Sequence, residues 1–193
     1  MPETLSTMLD LGTTLPAFAL PDVSGRTVSD RDFAGSRALL VAFLSSRCPF
    51  VQNIRAEFAR FATEYGAKGL QVVGIVSTDT NEFPDDTTEG LEKEAANVGY
   101  TFPYVRDDDQ KVARAFRAAC TPDFFLFDGN RRLVYRGQFD GSRPKNGVPV
   151  TGEDLRAAAD AVLAGRPVSA TQRPSIGCNI KWKPGNEPEY FKT

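Results

Sequence analysis

Two apolar runs, residues 38–44 and 70–76, bracket a stretch in which Val51, Ile54, Phe58, Phe61, Ala62 and Tyr65 recur at the spacing of one helical face. Runs this short and this apolar predict strands buried on both faces. Pro49 suits a first helical position, because its fixed φ fits the helix and its missing N–H would have had no partner there. Gly66 supplies a stop. Strand, helix and strand in that order predict a right-handed parallel unit.

The same reading extends in both directions. Residues 1–14 show no sustained period and are expected to be a loose arm; residues 15–28 give short extended pieces around a Ser24-Gly25 turn, a small hairpin. Residues 79–88 read as a surface loop, and Leu91, Ala95 and Val98 mark a second helix stopped by Gly99. Residues 102–105 suit a short edge strand, since Pro103 cannot donate to a ladder. Asp107-Asp108-Asp109 is a charge pattern for a helix start, followed by Val112, Ala115, Phe116 and Ala119 on one face. Residues 124–127 and 133–135, joined through Asp128-Gly129-Asn130, form the clearest hairpin. Thr151-Gly152-Glu153-Asp154 resembles a capping box before a last helix closed by Gly165. The order predicts an α/β fold with a mixed central sheet flanked by helices. Three parts are expected: an arm at 1–14, a domain at 15–165, and a Pro- and Gly-rich irregular tail at 166–193 laid over it, with Trp182 as a packing anchor.

Composition narrows the chemistry. The 193 residues suit one domain, and the near-balance of 23 Lys+Arg against 25 Asp+Glu argues against nucleic-acid binding or a basic membrane-facing surface. The opening residues lack the pattern of a signal peptide and no apolar run is long enough to span a bilayer, so a cytoplasmic location is expected. Histidine is absent, which removes Ser-His-Asp and Cys-His catalysis within one chain and any histidine metal site. Cys48, Cys120 and Cys178 are too widely spaced to suggest a paired metal motif.

Cys48 then draws the eye, because Ser45-Ser46-Arg47-Cys48-Pro49-Phe50 places a thiol between a buried strand and a helix start. Free amides, the helix dipole and Arg47 would favour a thiolate there; the alternative is a small buried hydrophobe. Ser45 is either a hydrogen-bond partner of that thiol or a helix cap. Arg47 either faces the thiol or points to solvent.

Further residues carry a family resemblance. Pro16-Ala17-Phe18-Ala19-Leu20-Pro21-Asp22, then Gly25-Arg26-Thr27-Val28, the strand leading to Cys48, and Thr121-Pro122-Asp123-Phe124-Phe125-Leu126-Phe127-Asp128 together resemble the thioredoxin-fold redoxins. More narrowly, the chain resembles the peroxiredoxin-like branch of the alkyl hydroperoxide reductase and thiol-specific antioxidant superfamily, and Pro174-Ser175-Ile176-Gly177-Cys178-Asn179-Ile180-Lys181-Trp182-Lys183 is similar to the ending of a bacterial subgroup of thioredoxin family proteins. A peroxiredoxin-like Pro-x-x-x-Thr-x-x-Cys run stands here as Val41-x-x-x-Ser45-x-x-Cys48, and the family's distant Arg falls on Pro122. Pro122 instead resembles the thioredoxin proline whose preceding bond is cis.

The resemblance implies a thiol-dependent oxidoreductase in which Cys48 attacks a hydroperoxide or a disulfide, with Cys120 or Cys178 as a resolving thiol unless either is simply buried. It implies no cofactor or metal and a thioredoxin- or glutathione-type reductant; many relatives form homodimers, and the sequence leaves that open here. Thiol-disulfide exchange without peroxidase activity is a second reading, and a non-catalytic redox-sensing or binding module a third.

Overall fold

In the computed structural model, which describes residues 3–191, every position of the central strand is buried, as its unbroken apolar run requires. The elements are β1 (Glu3–Leu5), β2 (Ala19–Pro21), β3 (Thr27–Ser29), β4 (Ala38–Phe43), α1 (Pro49–Gly66), β5 (Leu70–Val76), α2 (Thr88–Val98), β6 (Tyr104–Arg106), α3 (Lys111–Ala115), β7 (Cys120–Thr121), β8 (Asp123–Phe127), β9 (Leu133–Gly137), α4 (Glu153–Leu163) and β10 (Ile176–Asn179). Short 3-10 turns occupy Asp30–Phe33 and Pro84–Asp86.

The main sheet runs β6-β5-β4-β8-β9; β4, β5 and β6 are parallel, β8 is antiparallel to β4, and β9 is antiparallel to β8. Because side chains alternate along β4, it feeds two cores. Leu40 and Ala42 pack with α1 residues such as Ile54, Phe58 and Phe61, while Leu39, Val41 and Phe43 pack with Phe116, Phe125 and the β2–β3 hairpin. The rings of Phe43, Phe116 and Phe125 meet edge to face at 5.4–5.8 Å, a favoured aromatic geometry.

Four local expectations need correction. The first segment is not simply loose, since β1 pairs antiparallel with β10, which in turn pairs with β7. The tail accordingly contains a strand in a second, three-stranded sheet, and Trp182 and Ile180 are buried with the hairpin-side core. Met1, Pro2, Lys192 and Thr193, the outermost residues of the expected arm and tail, lie outside the described residues. The capping box before α4 is absent as well. Gly152 occupies the cap in the left-handed region, and Asp140 Oδ2 accepts the amides of Thr151 and Gly152 at 2.7 and 2.6 Å. A distant carboxylate thus adds to Thr151, whose hydroxyl accepts the Glu153 amide at 3.3 Å. Finally, the edge strand begins at Tyr104 rather than at 102, because the ladder takes up only after Pro103.

Asp107 shows how the acidic run is used. Its carboxylate accepts the amides of Val112 and Ala113 at 3.2 and 2.8 Å and the Ser77 hydroxyl at 2.8 Å, so it ties the start of α3 to the end of β5.

Candidate active site

Cys48 is the N-cap of α1, at the C-terminal end of the central parallel strand where α/β sheets place their chemistry. It is almost fully buried, at 2% exposure. Opposite it, the Thr121–Pro122 peptide is cis and the Thr121 carbonyl accepts the Cys48 thiol at 3.0 Å. The tail supplies the third side. In β10, Cys178 stands in register with Thr121 and lines the same cavity as Cys48.

Gly177 makes this approach feasible. A Cβ there would sit 1.9 Å from the Thr121 carbonyl oxygen, so only glycine lets β10 lie against the proline turn.

The Cys48 thiol is pushed down to about 6, chiefly by the hydrogen bond from Cys178. Burial opposes this, as does the Thr121 carbonyl, which accepts only from the protonated thiol; the Thr121 side chain and the backbone amides of Cys178 and Val51 lower it further. The Val51 amide is one of the free donors of the first helical turn, which explains part of the effect from sequence position alone. Cys178 is pushed strongly upward by the same contact and by burial, so it remains the protonated donor.

The other candidates have different places. Ser45 donates its hydroxyl to Asp86 Oδ2 at 2.6 Å, so its proton is spent on a carboxylate rather than on the thiol. Arg47 pairs with Asp85 at 3.0 Å, with both side chains about half exposed or more. Cys120 is fully buried, and its Sγ lies 3.7 Å from the Pro122 carbonyl oxygen. One step along β7 from Thr121, it is opposite Asn179 rather than Cys178, and burial pushes its thiol well up. The structure thus brings Cys48, Cys178 and Thr121 together in one cavity that Ser45 and Arg47 also line, with Cys120 outside the lining. Pro122 contributes through the carbonyl its cis bond presents.

That cavity has a volume of about 80 Å³, with Phe43, Leu44, Phe83 and Ile180 as apolar walls. At roughly 10–15 Å³ per water-sized probe it has room for several waters or a small oxidant. Among the described residues no group of three or more Cys, Asp or Glu side chains is arranged to hold a metal.

Two groups at this site carry no short-range sequence signal. Asp86, fully buried, accepts the Ser45, Ser46 and Thr78 hydroxyls, each at 2.6 Å, and the Ser46 amide at 2.8 Å. It clamps the turn that presents Cys48 to a loop about forty residues away, a pairing visible only in three dimensions. Asp86→Ala would strand these donors and is expected to cost about 2–4 kcal/mol, from the penalty of leaving buried polar groups unpaired. Chemical denaturation of the reduced protein checks this.

Lys181 is the second. It lines the cavity three residues after Cys178, and that spacing was the one available hint.

Asp123, directly after the proline, is wholly buried; one carboxyl oxygen accepts the Ala119 amide at 3.4 Å and the other has no partner among the described residues. Burial pushes it up to about 7. An unfolded aspartate ionises near ~3.9, so as pH rises from there towards 7 the unfolded state gains relative stability. Asp123→Asn removes that penalty. Its stability relative to wild type is expected to improve by about 2–3 kcal/mol between pH 5 and pH 7, at ~1.4 kcal/mol per unit. Urea midpoints at the two pH values measure it.

Comparison with known proteins agrees with this architecture. A crystal structure of a hypothetical protein from Sinorhizobium meliloti 1021 superposes with a TM-score of 0.93 at 55% identity, covering 94% of this chain and all of that one. The thioredoxin domain of a thiol-disulfide oxidoreductase from Bacteroides vulgatus has a TM-score of 0.58 at 22% identity, over 67% of this chain and 89% of that one, a likeness of fold. A Mycobacterium tuberculosis protein with a provisional peroxiredoxin name is 31% identical over 115 residues, 60% of this chain and 68% of its own length. The family model described as AhpC/TSA matches residues 11–136, and the chain, a thioredoxin-like fold built around a buried cysteine at a helix start, belongs to that family.

Proposed function

We propose that the protein is a thiol-dependent peroxidase-like oxidoreductase in which Cys48 is the nucleophile and Cys178 the resolving thiol. The observation that supports the reading is the register of β10, which sets Cys178 opposite Thr121 so that it lines the Cys48 cavity from the far end of the chain. The Cys48 thiolate attacks a hydroperoxide to give a sulfenic acid, and the Cys178 sulfur condenses with it to a disulfide and water. Cys120, enclosed on the other side of β7, serves packing in this scheme. A thioredoxin- or glutathione-type dithiol or thiol returns the pair to its reduced state. The working site is cytoplasmic, where such reductants keep thiols reduced.

Stopped-flow oxidation of the reduced protein by hydrogen peroxide, followed by peptide mass mapping, is the test. Oxidation faster than that of free cysteine with a Cys48–Cys178 linkage supports the proposal; a rate no faster than free cysteine sinks it.

Thiol-disulfide exchange is the second reading, favoured by the cis proline whose neighbouring carbonyl engages the thiol. Against it, β10 already occupies the β7 edge beside Cys48, so an extended protein substrate would have to displace that strand. Reduction of a small disulfide but not of hydroperoxide would favour this reading.

A further inference from the structure

A lowered pKa does not by itself make a fast peroxidase. Bringing a thiol from ~8.5 to about 6 raises the thiolate at pH 7 roughly thirtyfold, but a Brønsted slope of ~0.45 takes back more than tenfold in intrinsic nucleophilicity, leaving about a twofold gain. Rapid attack on a hydroperoxide therefore needs a group that meets the charge developing on the departing oxygen.

Arg47 pairs with Asp85, and the buried carboxylates bonded to the cavity-lining Ser45 and Ser77, Asp86 and Asp107, have their own tasks. Lys181 differs. It forms no ion pair among the described residues, and its ammonium donates to the Asn179 carbonyl at 2.7 Å and the Asn179 side-chain oxygen at 2.5 Å. An ammonium has three donors, so these two bonds leave one unused at a residue that lines the cavity.

The segment that carries it is fixed. The Lys181 carbonyl accepts the Asp79 amide at 2.9 Å and the buried Gln110 side-chain amide at 2.8 Å, and Gln110 in turn accepts the Lys183 amide at 2.8 Å. Burial lowers the Lys181 pKa, while the Cys178 and Cys48 sulfurs, the ionisable groups that face it, pull the other way. A half-buried lysine of this kind can release a proton as well as hold one.

We propose that Lys181 is a catalytic residue of the Cys48 site, serving as the proton relay for hydroperoxide reduction and for disulfide closure. The inference rests on the peroxidase reading above. In the first step the Cys48 thiolate forms a bond to the terminal oxygen of ROOH and the O–O bond breaks. Sulfur is oxidised to the sulfenic acid, and the departing RO⁻ takes a proton from the Lys181 ammonium to leave as ROH. The neutral amine then accepts the proton of Cys178. The resulting thiolate attacks the Cys48 sulfur, and the expelled hydroxide recovers that proton from Lys181 as water. A dithiol reductant supplies two electrons and two protons, restoring the Cys48 thiolate, the Cys178 thiol and the Lys181 ammonium.

The test compares full-length wild type with Lys181→Met, which keeps the apolar stem, and Lys181→Arg, which keeps the charge but does not give up its proton near neutral pH. Each reduced protein is mixed with hydrogen peroxide and with tert-butyl hydroperoxide to read the rate of disulfide formation, and Cys48 alkylation by iodoacetamide is followed in parallel. The expected result is a loss of tenfold or more in oxidation rate for both variants, with Cys48 still alkylated in each and the arginine variant retaining the wild-type alkylation pH profile. Oxidation of Lys181→Met within twofold of wild type overturns the proposal, as does full rescue by arginine, which would leave only a charge effect. Wild-type oxidation no faster than free cysteine would defeat the peroxidase reading itself, and the relay with it.

Discussion

Cys48→Ser is expected to end peroxide-driven chemistry in this protein, with disulfide formation falling to zero and thiol oxidation dropping below that of free cysteine. Serine keeps the size and the hydrogen bond to the Thr121 carbonyl, so the fold should persist while the nucleophile is lost. The remaining thiols cannot substitute for it. Cys120 is sealed in the core with its thiol pushed well up, and Cys178 is almost as enclosed. Stopped-flow peroxide consumption beside a thermal melt separates loss of chemistry from loss of structure. Rapid oxidation in the variant would transfer the reaction to another cysteine.

The second large effect concerns Cys178, whose proximity is the main cause lowering the Cys48 thiol. A hydrogen bond to a charged group contributes about 1.5–3 kcal/mol, or ~1–2 pKa units. Cys178→Ala should therefore move the Cys48 alkylation midpoint up from about 6 towards 7–8, the more alkaline value following from loss of a contact that favours the charged form. Cys178→Ser retains a donor and should shift the midpoint less. Both variants lose the internal disulfide, so peroxide should carry Cys48 on to sulfinic acid, a mass gain readily seen in the Cys48 peptide. An unchanged midpoint in Cys178→Ala would assign the thiolate to the helix amides alone.

How much of this was legible in the sequence depended on the range of the interaction. The buried strands β4 and β5 and the face of α1 follow from local apolar pattern, and the strand-to-helix position of Cys48 follows with them. The cis peptide at Pro122 came through resemblance. Pairings between distant segments left no such trace. Three-residue β1 is too short to show a period, and its partner β10 is interrupted by Gly177, which is there because the Thr121 carbonyl passes so close. The same limit concealed Asp86 and Lys181. The first was read as part of an acidic surface loop but is fully buried, because four donors from the Cys48 turn and Thr78 converge on its carboxylate. Asp140, which holds the two amides before α4 alongside the Thr151 hydroxyl, makes the same point.

The β10 register also has a bearing on how long the protein lasts. About 130 residues separate Cys48 from Cys178, so a bond between them would close a loop embracing most of the chain. In the chain-entropy account a loop of ~100 residues or more adds close to 5 kcal/mol against unfolding. Proteases act on opened states, whose population falls with that free energy. An oxidative burst would then leave behind molecules that are both spent and hard to degrade, and the supply of reducing equivalents would govern turnover of the protein as well as turnover of its substrate.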